Sequence, residues 1–161
     1  MSRRGASCFI FCACLLFTYK VSFSNVTSPL SIEASGVYQN GEPVVSFRVT
    51  NTSTATLVIN ESALPWGDRY SVLVVVIVRD TEEALHAHYP VSDVFFEKPI
   101  RLEVNGSKLG EIALSSHFGD VSDRLRKSDL FVFWIYEPKN AAGDKLGQYG
   151  GWLMFPKTAA K

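Results

Sequence analysis

Val45-Ser46-Phe47-Arg48-Val49-Thr50-Asn51-Thr52-Ser53 is the stretch on which the fold class turns. Val45, Phe47 and Val49 alternate with Ser46, Arg48 and Thr50. One side of an extended chain is then apolar and the other wet, the period-two mark of a half-buried strand. Asn51-Thr52-Ser53-Thr54 breaks it. Upstream, Leu30, Ile32 and Ala34 alternate with Ser31, Glu33 and Ser35, and Gln39-Asn40-Gly41-Glu42-Pro43 between the two runs reads as a turn. Downstream, Thr56 to Asn60 is a short third strand. Leu64-Pro65-Trp66-Gly67-Asp68 is a rigid turn, because Pro65 fixes its own φ and Gly67 supplies a permissive backbone.

Two runs, Tyr70 to Val78 and Leu130 to Tyr136, are apolar at nearly every position. Loss of alternation predicts strands covered on both faces. Leu85 to Tyr89 reads as another short strand, ended by Pro90. Ile100, Leu102 and Val104 lead through Asn105-Gly106 into Leu109–Leu114, which predicts a hairpin. Asp120 to Lys127 is the one helix, capped by Asp120 or Ser122, with Val121 and Leu125 on one face. Gln148 to Phe155 is the last strand, and Pro156 stops it. About eight short strands with polar turns predict an all-β chain, an immunoglobulin-like antiparallel β-sandwich with one short helix. The expected core is Phe47, Val49, Leu73, Val75, Ile77, Leu102, Ile112, Leu114, Val132, Trp134 and Leu153.

The chain has 161 residues, with 16 basic and 16 acidic side chains, three cysteines and no internal repeat. That length suits one domain with its own core. Zero net charge gives no basic excess, so a general nucleic-acid binder is not expected. The average hides a division. Arg3 and Arg4 precede an uncharged, mostly apolar run from Ala6 to Tyr19, short of the roughly 20 residues that span a bilayer. Ser22 and Ser24 form a small-residue cleavage site. Residues 1–24 therefore read as a signal peptide, or, uncleaved, as a short signal anchor through residues 6–19. Residues 25–156 are the domain and 157–161 a flexible tail. Cys8, Cys12 and Cys14 all lie in the leading segment, and the rest of the chain has no cysteine and a net charge of −3. Thiolate zinc sites, thiol nucleophiles and internal disulfides are excluded from it. The expected location is periplasmic or secreted.

The Val45–Ser53 segment, Leu64-Pro65-Trp66-Gly67, and Phe133-Trp134-Ile135-Tyr136 with Gly150-Gly151-Trp152 together resemble small exported bacterial proteins of immunoglobulin-like fold with no established activity. Strands that run into Asn-Thr-Ser are also similar to those of bacterial proteinase-inhibitor-like domains and of β-domains attached to secreted metallopeptidases. The resemblance implies a non-enzymatic chain with no catalytic residue to carry over.

Candidate chemistry is sparse. His86 and His88, at i and i+2 on a strand, would share a face and could grip one metal ion, with Glu82, Glu83 or Asp93 as third ligand; solvated edge-strand histidines are the plainer reading. Ser115, Ser116 and His117 with Asp120 or Asp123 suggest a hydrolase, but triad members converge from separate elements, and no Gly-x-Ser-x-Gly elbow is present. Arg124, Arg126 and Lys127 are balanced by Asp120, Asp123 and Asp129, as on a solvated face. No motif implies a cofactor. Trp66, Asp68 and Tyr149 are the candidates for contact with a partner protein or envelope component, through loops or exposed strand edges. The Ser62–Asp68 loop is the alternative candidate for insertion into a protease cleft. Asn25, Asn51, Asn60 and Asn105 begin Asn-x-Ser/Thr sequons, which are glycan acceptors in a eukaryotic secretory pathway and ordinary turn sequences in a bacterium.

Overall fold

The structure, a computed structural model, describes residues 28–68, 71–88 and 98–158. The leading segment with its three cysteines, Asn25 and Asp93 lie outside the described residues. Eight strands and one short helix follow in order: β1 Leu30–Gln39, β2 Glu42–Asn51, β3 Leu57–Asn60, β4 Val72–Val78, β5 Pro99–Leu102, β6 Ser107–Ala113, α1 Val121–Leu125, β7 Leu130–Tyr136 and β8 Tyr149–Phe155. They form three antiparallel sheets, β1-β2-β6, β3-β5 and β4-β7-β8, whose inner side chains belong to one continuous core.

The β1–β2 hairpin closes on Asn40 and Gly41, both with positive φ, so Gln39 pairs directly with Glu42. That two-residue turn matches the right-handed strand twist. Alternation is obeyed in β2, where Val45, Phe47 and Val49 are buried while Arg48 is exposed. In α1, Val121 and Leu125 are both buried, as their spacing predicts.

Three expectations give way. The predicted hairpin of Ile100–Val104 with Leu109–Leu114 does not form. β5 pairs with β3 and β6 with β2, so the chain changes sheets at Asn105-Gly106. The turn itself is real, with Asn105 at φ +58, but it is tied to Asn51. Asn51 N–H donates to the Gly106 carbonyl (3.0 Å), and Asn105 N–H donates to the Asn51 carbonyl (2.9 Å). Of the predicted Leu85–Tyr89 strand, Tyr89 lies outside the described residues and Leu85–His88 form no strand; the chain touches β4 just before it, in one bridge of Ala84 with Ile77, and Leu85 N–H donates to the Val76 carbonyl.

The third correction is one of phase. In β4 the core residues are Val72, Val74, Val76 and Val78, not Leu73, Val75 and Ile77; Leu73 is 54% exposed. A run apolar at both parities carries no information about which parity faces in. Pairing with β7 decides it: Val74 sits opposite Trp134 and Val72 opposite Tyr136. Those aromatics anchor the inner face. Trp134 meets Phe47 edge-on across the core at 5.4 Å, and the Tyr136 hydroxyl donates to the Ala63 carbonyl at 2.8 Å. β4 is also at the sheet edge, with β7 in the centre.

The two ends of the described chain meet. Phe155 packs edge-on against Tyr38 (5.7 Å) and over Gly36, and the Tyr38 hydroxyl donates to the Pro156 carbonyl. Burial, and secondarily the charge of Asp129, push the Tyr38 phenol up to about 12. The expected flexible tail begins in an ordered way: Lys157 N–H donates to Asp129 Oδ1 (2.9 Å) and Thr158 N–H to the Leu125 carbonyl.

The Lys157 amide, followed by a hydrogen bond from Arg79, holds the Asp129 carboxyl below its ordinary range. A depressed folded pKa contributes stability that is present above the unfolded value and lost as pH falls through the folded one. Asp129→Asn is therefore expected to cost about 1 kcal/mol at neutral pH, the Arg79 end being screened by solvent. Denaturant titrations at pH 7 and pH 2.5 check this, because the difference from wild type should be smaller at the lower pH.

Candidate functional site

A cleft of about 460 Å³ opens between the Pro65–Asp68 turn, the inner side of β4, the chain at His88 and the segment from Glu111 to Phe118. Its making is local at each wall. The turn is preceded by a 3-10 turn at Glu61–Ala63 and is held by Leu64 N–H on the Glu61 carbonyl and Gly67 N–H on the Leu64 carbonyl. Ser71 Oγ reaches the Asp68 and Pro65 carbonyls from the far side. Gly67 approaches the backbone so closely that a Cβ there would lie 1.9 Å from the Glu61 carbonyl oxygen.

Trp66 is half-buried, with its indole over Gly110 of β6, where a Cβ would come within 2.0 Å of the ring. The glycine is what lets the indole lie flat on the strand. Val72, Val74, Ile112 and Phe118 supply the apolar floor, and Asp68, Glu111, His88, Ser116 and His117 supply polar atoms. Gln39 Nε2 donates to Glu111 (2.7 Å), and His88 N–H donates to the His117 carbonyl (2.7 Å), which joins the two histidine-bearing segments.

Several candidates from separate parts of the sequence thus share one wall-to-wall space: Trp66 and Asp68 from the turn, His88, and Ser116 with His117. Their convergence was invisible in the sequence, since it depends on how β4 and β6 are placed. Gly110 and Glu111 were missed altogether. A glycine in the middle of a strand is the signal that could have pointed to close packing.

Other candidates lie elsewhere. Tyr149, expected on a partner-binding surface, is buried (3% exposed) at the start of β8, bonded to Ser28 and to the Leu146 carbonyl. In the Ser62–Asp68 loop Leu64 and Pro65 are buried, Gly67 is exposed and the other residues are half-buried. His86 and His88 are both exposed, and of the two His88 lines the cleft. Glu83 is engaged by Arg124 (2.9 Å), and among the described residues no group of three or more His, Cys, Asp or Glu is placed to hold a metal ion.

Ser116 Oγ donates to the Ala113 carbonyl (2.6 Å) and lies 2.8 Å from His117 Nδ1. The hydroxyl's bond to that carbonyl competes with transfer of its proton to the imidazole. Asp120 is bonded to Arg124 and Asp123 to Arg126. Of the sequons, Asn51 is fully buried, Asn60 half-buried and Asn105 exposed. Among the described residues no helix is long and apolar enough to cross a membrane. Neither a protein-family model nor a curated protein matches the chain.

Proposed function

We propose that this chain is an exported, non-enzymatic binding domain, of immunoglobulin-like sandwich architecture, that takes a partner protein or envelope component at the Trp66 cleft. The observation that carries the reading is the cleft itself, in which one indole and the Asp68 carboxylate lie over an apolar floor. An aromatic anchor with a few placed polar groups is the composition of a recognition pocket. Export rests on the Arg3-Arg4 and Ala6–Tyr19 pattern, with residues 1–24 removed or retained as an anchor. The sandwich rests on the edge-on Phe47–Trp134 contact between the β1-β2-β6 and β4-β7-β8 sheets. The bond of the Ser116 hydroxyl to the Ala113 carbonyl, which competes with proton transfer to His117, supports the non-enzymatic reading.

Crosslinked capture of the chain from its native envelope, followed by mass spectrometry, tests it. Wild type is expected to retain a discrete partner that Asp68→Asn and Trp66→Ala reduce at least tenfold. Trp66→Ala should cost about 2 kcal/mol of stability as well, because the indole is half-buried on Gly110. Asp68→Asn should leave stability within about 0.5 kcal/mol. Equal capture by wild type and both variants sinks the cleft as the binding site. The intact mass of the recovered chain reports whether residues 1–24 are removed.

A further inference from the structure

The outer face of the β4-β7-β8 sheet, turned away from the core, carries no charged side chain. Leu73, Val75 and Ile77 come from β4, Phe131, Phe133 and Ile135 from β7, and Gly150, Trp152 and Met154 from β8. Register sets them in three rows: Leu73–Ile135–Gly150, Val75–Phe133–Trp152 and Ile77–Phe131–Met154. Leu73, Phe133, Ile135 and Met154 are 54%, 41%, 45% and 40% exposed, and the other large side chains are half-buried against their neighbours, Phe131 edge-on to Trp152. An antiparallel sheet with one solvated face ordinarily alternates apolar and polar residues; β2 does so, and β4 and β7 do not.

We propose that this face is the contact between two copies of the chain, packed sheet on sheet about a two-fold axis near Phe133. Three observations choose a second copy as the occupant. The first is area. Aromatic side chains such as Phe133, which bury about 150–250 Å² each, together with the exposed Leu73, Ile135 and Met154, offer roughly 500 Å² per copy. A pair then covers about 1,000 Å², the size a specific interface has to clear. The second is composition. A face with no charge at its nine positions, and the Trp152 indole N–H as its one strong hydrogen-bonding group, matches another apolar face, and a two-fold axis supplies one from the same sequence. The third is the rim. Arg79 is paired with Asp129 and Lys145 with Glu137. Two of the described rim cations are thus neutralised, which weakens any hold on an anionic membrane. The inner side of β4 lines the Trp66 cleft, so the contact leaves both clefts of the pair open.

The test is sedimentation of the full chain across a concentration series, for wild type, Phe133→Glu, Met154→Lys and, as control, Leu109→Glu on exposed β6 (62%). Wild type is expected to dimerise at micromolar concentration, both outer-face variants to dimerise at least tenfold more weakly, and Leu109→Glu to match wild type. Circular dichroism confirms that each variant is folded. Should Phe133→Glu fail to fold, Phe133→Cys serves: mild oxidation should join two copies through position 133, read as a crosslinked peptide by mass spectrometry. A wild-type monomer throughout the series overturns the proposal. So does a dimer that all three substitutions leave intact, or one crosslinked only through Cys8, Cys12 or Cys14. Binding of monomeric wild type to lipid vesicles, lost in Phe133→Glu, would assign the face to a bilayer instead.

Discussion

Asn51→Ala is expected to lower the unfolding free energy by on the order of 3–5 kcal/mol, since a buried group that loses its partner costs about 1–3 kcal/mol. Asn51 is fully buried at the end of β2. Its Nδ2 donates to the Ala55 carbonyl (2.8 Å) and the Leu102 carbonyl (2.9 Å), and its Oδ1 accepts from Ser53 N–H (2.9 Å) and lies 2.7 Å from Ser53 Oγ. Both amide hydrogens and the carbonyl are used, and they join the end of β2 to the end of β5, where the chain changes sheets. Removing the amide takes away its bonds to the Leu102 carbonyl and the Ser53 N–H, while the Ala55 carbonyl keeps Ser53 Oγ (2.9 Å). Urea unfolding of wild type and variant at neutral pH measures the loss.

Asn51→Asp sharpens the same prediction. Its new carboxyl would face the Ala55 and Leu102 carbonyls, so burial and those dipoles disfavour the charged form and raise its pKa above the unfolded value of about 3.9. A raised folded pKa means that stability is retained below the unfolded value and lost as pH rises. The deficit relative to wild type should therefore be larger at pH 7 than at pH 4. A pH-independent deficit would show that the side chain had turned out to solvent. The network also separates the sequons: a glycan on Asn51 Nδ2 is incompatible with this fold, whereas Asn105 is exposed in its turn. If the chain is made in a glycosylating pathway, peptide mapping of folded protein should find Asn51 unmodified.

Gly67→Ala is expected to cost about 3 kcal/mol, at the upper end for an added methyl. The atoms in the way are all backbone: the Glu61 carbonyl oxygen at 1.9 Å, its carbon at 2.9 Å and Ser62 Cα at 2.9 Å. No rotamer relieves them, so the turn has to open, and Gly67 N–H loses the Leu64 carbonyl. Trp66 then lifts off Gly110. The loss should be non-additive with Trp66→Ala, because the second change removes what the first displaces. A thermal-melt double-mutant cycle with tryptophan fluorescence checks both points. Gly41 is the contrast. It has φ +85, and a Cβ added there would meet nothing within 4 Å, so Gly41→Ala should cost only about 1 kcal/mol of backbone strain.

How far the sequence could be read follows from what each feature depends on. β2, the Asn40-Gly41 hairpin and the Val121/Leu125 face of α1 depend on neighbours in sequence, and local patterns found them. The inward phase of β4 depends on Trp134 and Tyr136, more than fifty residues away, and a run of valines is silent about it. The divergence of β5 and β6 depends on Asn51, which looked like a turn residue and is a buried junction. The cleft depends on a strand glycine beneath an indole. Trp66 and Asp68 were legible as a pair because one turn holds them; Tyr149 looked the same on paper and is buried because β8 begins inside the molecule.

The closure of Phe155 and Pro156 onto Gly36 and Tyr38 bears on the order in which the chain can be built. β1 and β2 can zip as soon as both are made, but their sheet waits for β6, and β8 is the last of the described strands to arrive. Pairing this remote is slow, because loop closure is met before contacts reward it. A chain threaded from its N-terminus would thus hold the apolar strands β4 and β7 without their full set of partners until β8 emerges, the interval in which strand edges associate wrongly. Truncation just before Phe155 would then act less as a shortening than as an arrest of assembly.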